Sequence, residues 1–205
     1  GAYASHLNDC QLRENRATID GGGAYYGSMS NCALIGNTAS GGGGGAKNAR
    51  LVNCELGGNR AEYGGGADSG TLIDCEIRDN VALSSGGGVT YADLVRCAVR
   101  NNRANSYAGG SSYSTLTDCL VAGNESGRDA GGSYWGTLNN CILMGNTAVE
   151  RGGGAYFATL NNCVVWGNRA GQGGATDHGT ANNSVVWNNA SDNGYPVQGT
   201  SFQNT

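Results

Sequence analysis

Eight cysteines, Cys10, Cys32, Cys54, Cys75, Cys97, Cys119, Cys141 and Cys163, recur at intervals of 21 or 22 residues, and Ser184 keeps the interval in a ninth unit. Five residues after each stands an asparagine: Asn15, Asn37, Asn59, Asn80, Asn102, Asn124, Asn146, Asn168 and Asn189. One offset held nine times at a fixed period identifies a stacked repeat, because a single unit of this length cannot bury its apolar face alone.

The remaining slots of the repeat give the geometry. Three residues before each cysteine slot lies Leu7, Met29, Leu51, Leu72, Leu94, Leu116, Leu138, Leu160 or Ala181. Two residues after it lies an aliphatic: Leu12, Leu34, Leu56, Ile77, Val99, Val121, Leu143, Val165 or Val186. A spacing of two is the strand period, so cysteine and aliphatic share one face. The residue between them varies from Gln11 to Glu76 to Ile142, as an outward position does. Segments this short and glycine-rich do not suit helices, and helical solenoids use longer repeats. The expected fold is all-β: a right-handed parallel β-helix of about nine coils, with three short strands per coil. The hand follows from the chirality of parallel crossovers. With strands about 4.8 Å apart, nine coils make a rod on the order of 40 Å long.

Composition constrains the partners. The chain has 38 glycines and one proline, which without the period would suggest disorder. Its net charge is −4, Lys47 is the sole lysine, and the arginines are scattered. No clustered basic surface for nucleic acid is expected. No apolar run reaches membrane-spanning length. Gly1-Ala2-Tyr3 matches the back half of a repeat, and Phe202 to Thr205 resembles the start of another. Residues 1–205 are therefore read as one array without caps, a segment of a longer protein. The expected partner is a further coil at either end, in a longer chain or a second copy.

Two corners have a physical reading. Asparagine tolerates the left-handed backbone of a sharp turn, and identical stacked amides can hydrogen-bond in a ladder. The Gly-Gly-Gly runs mark a second corner, where side chains would clash or φ is positive. Ala108-Gly109-Gly110 and Ala130-Gly131-Gly132 imply that two glycines suffice.

Gly-Gly-Ala alternating with a downstream asparagine resembles the repeats of chlamydial polymorphic outer membrane proteins and related autotransporter-like passengers. Leu160-Asn161-Asn162-Cys163 through Gly167-Asn168 is similar to the repeats of large secreted bacterial β-helix proteins. The resemblance covers the whole chain, with one departure: the chlamydial repeats favour Phe where this chain has Cys. It implies a secreted or cell-surface rod, a shaft, adhesin stalk or fibre subunit without enzymatic activity.

Several residues are candidates for chemistry. The cysteine row reads first as a column of packed, reduced thiols, since buried cysteine behaves as a small hydrophobe. Disulfides between coils are the second reading, although a strand spacing of about 4.8 Å exceeds the Cβ separation of about 3.8 Å that a disulfide wants. A soft-metal row is the third, and one straight row cannot converge as zinc ligands do. No metal or cofactor site is expected. Glu55 and Glu76 hold equivalent outward slots roughly 5 Å apart, within the range of a retaining glycosidase pair. Two solvated glutamates near Arg78 is the simpler reading. Asp177-His178-Gly179 resembles the Gly-His-Gly of pectin-degrading hydrolases, without the accompanying aspartates. Thr115, Thr137, Thr159 and Thr180 form one threonine rank, and a second is lacking. Tyr91, Tyr113, Trp135 and Phe157 share one slot, with Tyr26 earlier, and Trp166 and Trp187 share another. These two aromatic rows are the candidate ligand-binding residues, cell-surface glycans being the candidate ligand. A carbohydrate-binding or polysaccharide-cleaving β-helix is the alternative to a structural rod.

Overall fold

The computed structural model describes residues 1–203. The repeat signature read at Asn204 and Thr205 lies outside the described residues. The described chain is all-β and parallel throughout, with three sheets that run along a β-solenoid of about nine coils. Each coil contributes to each sheet, and in two coils the first-sheet strand is split, into Ser111–Ser112 and Thr115–Thr117 and into Ser133–Tyr134 and Thr137–Asn139. The first face runs from Ala2–Asn8 to Val197–Gln203, the second from Gln11–Arg13 to Val185–Trp187, and the third from Arg16–Ala17 to Ala190–Ser191.

Coils stack in register, with one shift on the third face between Ala82 and Ser85, so each sequence slot becomes a column. Leu7, Met29, Leu51, Leu72, Leu94, Leu116, Leu138, Leu160 and Ala181 pair successively along the first face. The aliphatic slot pairs likewise from Leu12 to Val186 on the second. These two columns, the cysteines and a run of small residues form one continuous core. Burying a leucine or valine is worth about 1.5–3 kcal/mol each, so the columns supply the main stabilisation.

Both ends of the second face turn through one hydrogen-bond scheme. At the first corner, Asn37 N–H and Nδ2 donate to Asn59 Oδ1 at 2.8 and 3.1 Å, and Nδ2 also donates to Leu12 O at 2.8 Å. The pattern repeats coil by coil to Asn168, which meets Asn189 Oδ1 at 2.9 and 3.0 Å. Each internal amide thereby uses both hydrogens and accepts twice. Asn37 through Asn168 of the row are fully or almost fully buried.

At the other corner, Cys75 N–H points to Cys97 Sγ at 3.4 Å, and Cys97 Sγ lies 3.4 Å from both Leu72 O and Val95 O. In the ninth coil Ser184 Oγ accepts from Cys163 N–H at 3.1 Å and donates to Asn182 O at 2.8 Å. All eight cysteines are free thiols. For Cys54, Cys97 and Cys141, the neighbouring thiol of the column and then burial push the pKa up.

One expectation changes. The left-handed residue is not the row asparagine but the residue before it: Glu14, Asp79, Asn101 and Asn188 have φ of 51–57°, and glycines fill the other coils. The residue before each cysteine behaves the same way, from Asp9 to Asn183. A left-handed residue directs its own side chain outward and turns the next one into the coil. Its identity is therefore free, which is why Asp, Asn, Arg, Glu and Gly all occur there.

The glycine corner joins the third face to the first. The glycine two places before the last of each triplet has positive φ, for example Gly64 at 56° and Gly86 at 68°, and Ala108 and Ala130 take the same conformation at 54° and 60°. The second glycine abuts backbone: a Cβ on Gly65 would stand 2.5 Å from Gly87 O. That contact, more than φ, excludes side chains, so the second slot is glycine in every run, whereas alanine replaces the first at Ala108 and Ala130 and the third at Ala175.

Candidate functional site

The first face is bent rather than flat. The bend falls on one column, Tyr26, Asn48, Ser69, Tyr91, Tyr113, Trp135, Phe157 and His178, every member at φ of 49–62°. For bulky residues this backbone costs of order 1–2 kcal/mol each. The rings recover part of it by stacking. Tyr91 lies 5.2 Å from Tyr113 at 11° between planes, Trp135 4.7 Å from Phe157 at 15°, and Phe157 4.9 Å from His178 at 29°. Such pairs contribute about 0.5–1.5 kcal/mol. The first aromatic row thus faces outward, but most of its ring faces cover one another and leave edges to solvent.

Between this ladder and the glycine corner runs a groove. Its floor is the preceding column, Lys47, Asp68, Thr90, Ser112, Tyr134, Tyr156 and Asp177. Its far wall is Tyr63, Ser85, Tyr107, Asp129 and Arg151. In the later coils the groove is filled. Tyr107 stacks on Tyr134 at 5.2 Å, Arg151 lies 4.8 Å from the Tyr156 ring centre, and Arg151 Nε bonds buried Asp129 at 3.1 Å. Burial raises the phenol pKa of Tyr113, Tyr134 and Tyr156.

In the earlier coils the groove is open. A cavity of ≈ 480 Å³ is lined by Lys47, Tyr63, Asp68, Ser69, Thr90 and Tyr91. Lys47 Nζ bridges Asp68 Oδ2 at 2.9 Å and Asp20 Oδ1 at 3.2 Å. Burial works against its charge, but the hydrogen bonds to Asp68 and Asp20 prevail and raise its pKa. Gly42 makes room here, since a Cβ there would collide with Asp68 Oδ2.

The second aromatic row belongs to a different surface. On the outward side of the second face two columns flank the buried aliphatic. In the first five coils they hold polar, charged or small residues with Ile35 as the one large apolar exception, and Arg100 Nη2 lies 3.1 Å from Glu76 Oε1 while Arg78 is bonded to Glu55. Glu55 and Glu76 are register partners, each occupied by an arginine. From the sixth coil the same columns hold only Leu120, Ala122, Ile142, Met144, Val164, Trp166, Val185 and Trp187. Ile142, Val185 and Trp187 are exposed, and Trp166 and Trp187 tilt 37° apart at 5.6 Å. A stripe two residues wide and four strands long covers roughly 200–300 Å², well below the ~800 Å² per partner of a stable complex. The two tryptophans stand out in the sequence, whereas the stripe shows only once the outward slots are aligned coil by coil.

His178 Nδ1 contacts Asp177 Oδ1 at 2.5 Å, and Asp177 is buried with Oδ2 unpartnered. The threonine rank lies along the outer half of the first face, as Thr115, Thr137, Thr159 and Thr180 in register. Among the described residues no group of three His, Cys, Asp or Glu converges as metal ligands would. Among those residues no helix is long and apolar enough to cross a membrane.

No family model and no curated protein sequence matches the chain. Among solved structures the chain is similar to QnrB1, described as a plasmid-mediated fluoroquinolone resistance protein. A trypsin-treated form is 15% identical over 98% of this chain and 90% of that one, with a TM-score of 0.29. The full-length form is 13% identical over 97% and 93%, also at 0.29. At that TM-score the likeness carries no argument about function.

Proposed function

We propose that this chain is a non-enzymatic structural segment of a secreted or cell-surface β-solenoid: a shaft, adhesin stalk or fibre subunit. The observation that supports this reading most is the continuity of two hydrogen-bond ladders and two apolar columns through every coil. Residues are spent on uniform stacking, which yields a stiff rod of constant cross-section. The repeat residues shared with secreted β-helix proteins support the extracellular location. A coil set on either terminal coil would continue the leucine, cysteine and asparagine columns, so end-to-end stacking is part of the proposal.

A register-preserving deletion tests it. Removing residues 98–141 takes out two coils and joins Cys97 directly to Ile142, in the slot of Ala98. A shaft should fold, shorten by about 10 Å by small-angle scattering, and still be labelled by antibody on unpermeabilised source cells. Labelling only after permeabilisation would contradict the location. Loss of a catalytic activity on deletion would contradict the structural role. Growth of particle length with concentration, by light scattering or electron microscopy, is the expected sign of end-to-end stacking.

A further inference from the structure

We propose that the open notch at Lys47, Asp68 and Tyr91 is a binding site for neutral pyranose saccharides. The inference is independent of the shaft reading, since a rod can present or lack such a site.

The argument starts from the interruption of the aromatic ladder. Tyr91 stacks through one face on Tyr113. Its column neighbour on the other side is Ser69, and the next is Asn48, so no ring covers the second face. Tyr91 is 60% exposed, the most of any aromatic in that column. It is also held on two sides, by a left-handed backbone and by the stacked Tyr113 ring. A fixed ring with one free face suits the C–H face of a pyranose, because the π-cloud is electron-rich there.

Beside this face stands a polar set already positioned by its own bonds. Asp68, only 7% exposed, accepts from Lys47 through Oδ2 and from Ser69 Oγ through Oδ1 at 3.2 Å. Asp20 accepts from Lys47 and from Gly42 N–H at 2.6 Å. Both bonds to Asp20 fall on Oδ1 and leave Oδ2 to accept, each Asp68 oxygen keeps a lone pair, and Lys47 has a third N–H. Hydroxyl groups can donate to the former and accept from the latter without dismantling the cluster. Pre-organised polar groups beside an apolar wall are the usual make-up of a small-molecule site, and ≈ 480 Å³ lies within the usual range.

Charge selects among sugars. Asp20 and Asp68 outnumber Lys47, so a uronate would meet net negative charge, and a neutral sugar would not. The filled half of the groove is the internal control. There Tyr107, Tyr134 and Arg151 occupy the corresponding space and cover the ring faces.

The experiment is an NMR and calorimetric titration with cellotetraose, laminaritetraose, chitotetraose, mannotetraose and tetragalacturonate. At least one neutral oligosaccharide should bind, and Tyr91→Ser should weaken it about tenfold, the equivalent of one stacking contact. Serine is native to this column at position 69, so the variant keeps an accepted backbone. Gln11→Ala, on another face, should leave affinity unchanged. A second readout uses the wild-type protein. Lys47 is the sole lysine, so its labelling by an amine reagent, read peptide by peptide, should fall when saccharide is bound. The proposal is overturned if no neutral oligosaccharide binds at about 10 mM. It is overturned equally if tetragalacturonate binds more tightly, if Tyr91→Ser binds like wild type, or if bound saccharide leaves Lys47 labelling unchanged.

Discussion

The asparagine corner and the cysteine corner solve one problem with different chemistry. Both place a left-handed residue at the turn and follow it with an inward side chain. Both side chains accept the backbone N–H of the equivalent residue one coil earlier, and both approach the carbonyl of a core residue in that coil. Asn102 takes Ile77 O at 2.9 Å, and Cys97 takes Leu72 O at 3.4 Å. The amide has two hydrogens and two lone pairs and uses them all, whereas a thiol is a weak donor and a weak acceptor. The asparagine corner therefore tolerates no substitute, and its row is unbroken. The cysteine corner asks for a small buried group that can bond weakly, and serine fills it once, at Ser184.

Substitutions can break this comparison, starting with the largest effect. Asn102→Ala removes four hydrogen bonds and leaves Asn80 N–H and one Nδ2 hydrogen of Asn80 without an acceptor in the core. The expected loss is about 3–5 kcal/mol by denaturant titration. Asn102→Asp should be worse still at neutral pH, because it buries a carboxylate against acceptors. Burial raises such a carboxyl's pKa above its unfolded value near 3.9. Its penalty is therefore full above the raised folded pKa and shrinks as pH falls toward 4. A deficit that grows on acidification would contradict this account of the corner.

Cys97→Ala should cost about 1–2 kcal/mol, and Cys97→Ser about 1 kcal/mol or less. A Cys97→Ser variant as unstable as Asn102→Ala would erase the distinction between the corners. The same picture predicts that a thiol reagent finds few of the eight cysteines in the native rod and nearly all after denaturation. Paired cysteines under denaturing, non-reducing conditions would show disulfides instead.

The smallest effect is expected on the surface. Arg96 holds the exposed Asp74 carboxyl below its usual pKa through bonds of 2.7 and 2.8 Å. A lowered pKa gives stability that is present at neutral pH and lost on acidification, but here solvent screens it. Asp74→Asn should leave the melting temperature unchanged at physiological salt.

How much of this was legible in the sequence follows from where chemistry repeats. The columns were readable because Leu, Cys, aliphatic and Asn face a core that admits few alternatives. The turn residue was not, because a left-handed residue that points outward can be Asp79, Arg96, Asn101 or Gly58, with no shared side chain to betray it. The aromatic row was legible as a row, but its backbone was not. Tyrosine and tryptophan signal extended strand, and the bend is imposed by the stack around them. The open notch escaped because it is defined by what is small, Gly42 and Ser69, beside Tyr91.

Hydrogen exchange of the side-chain amides tests the saturated asparagine ladder most directly. Exposed asparagine Nδ2 protons exchange rapidly, and those of Asn193 should do so here. The account predicts that Nδ2 protons of the seven buried row residues, Asn37 to Asn168, are as strongly protected as the backbone amides of the core columns. Exchange at those seven as fast as at Asn193 would contradict the claim that these amides hold the coils together.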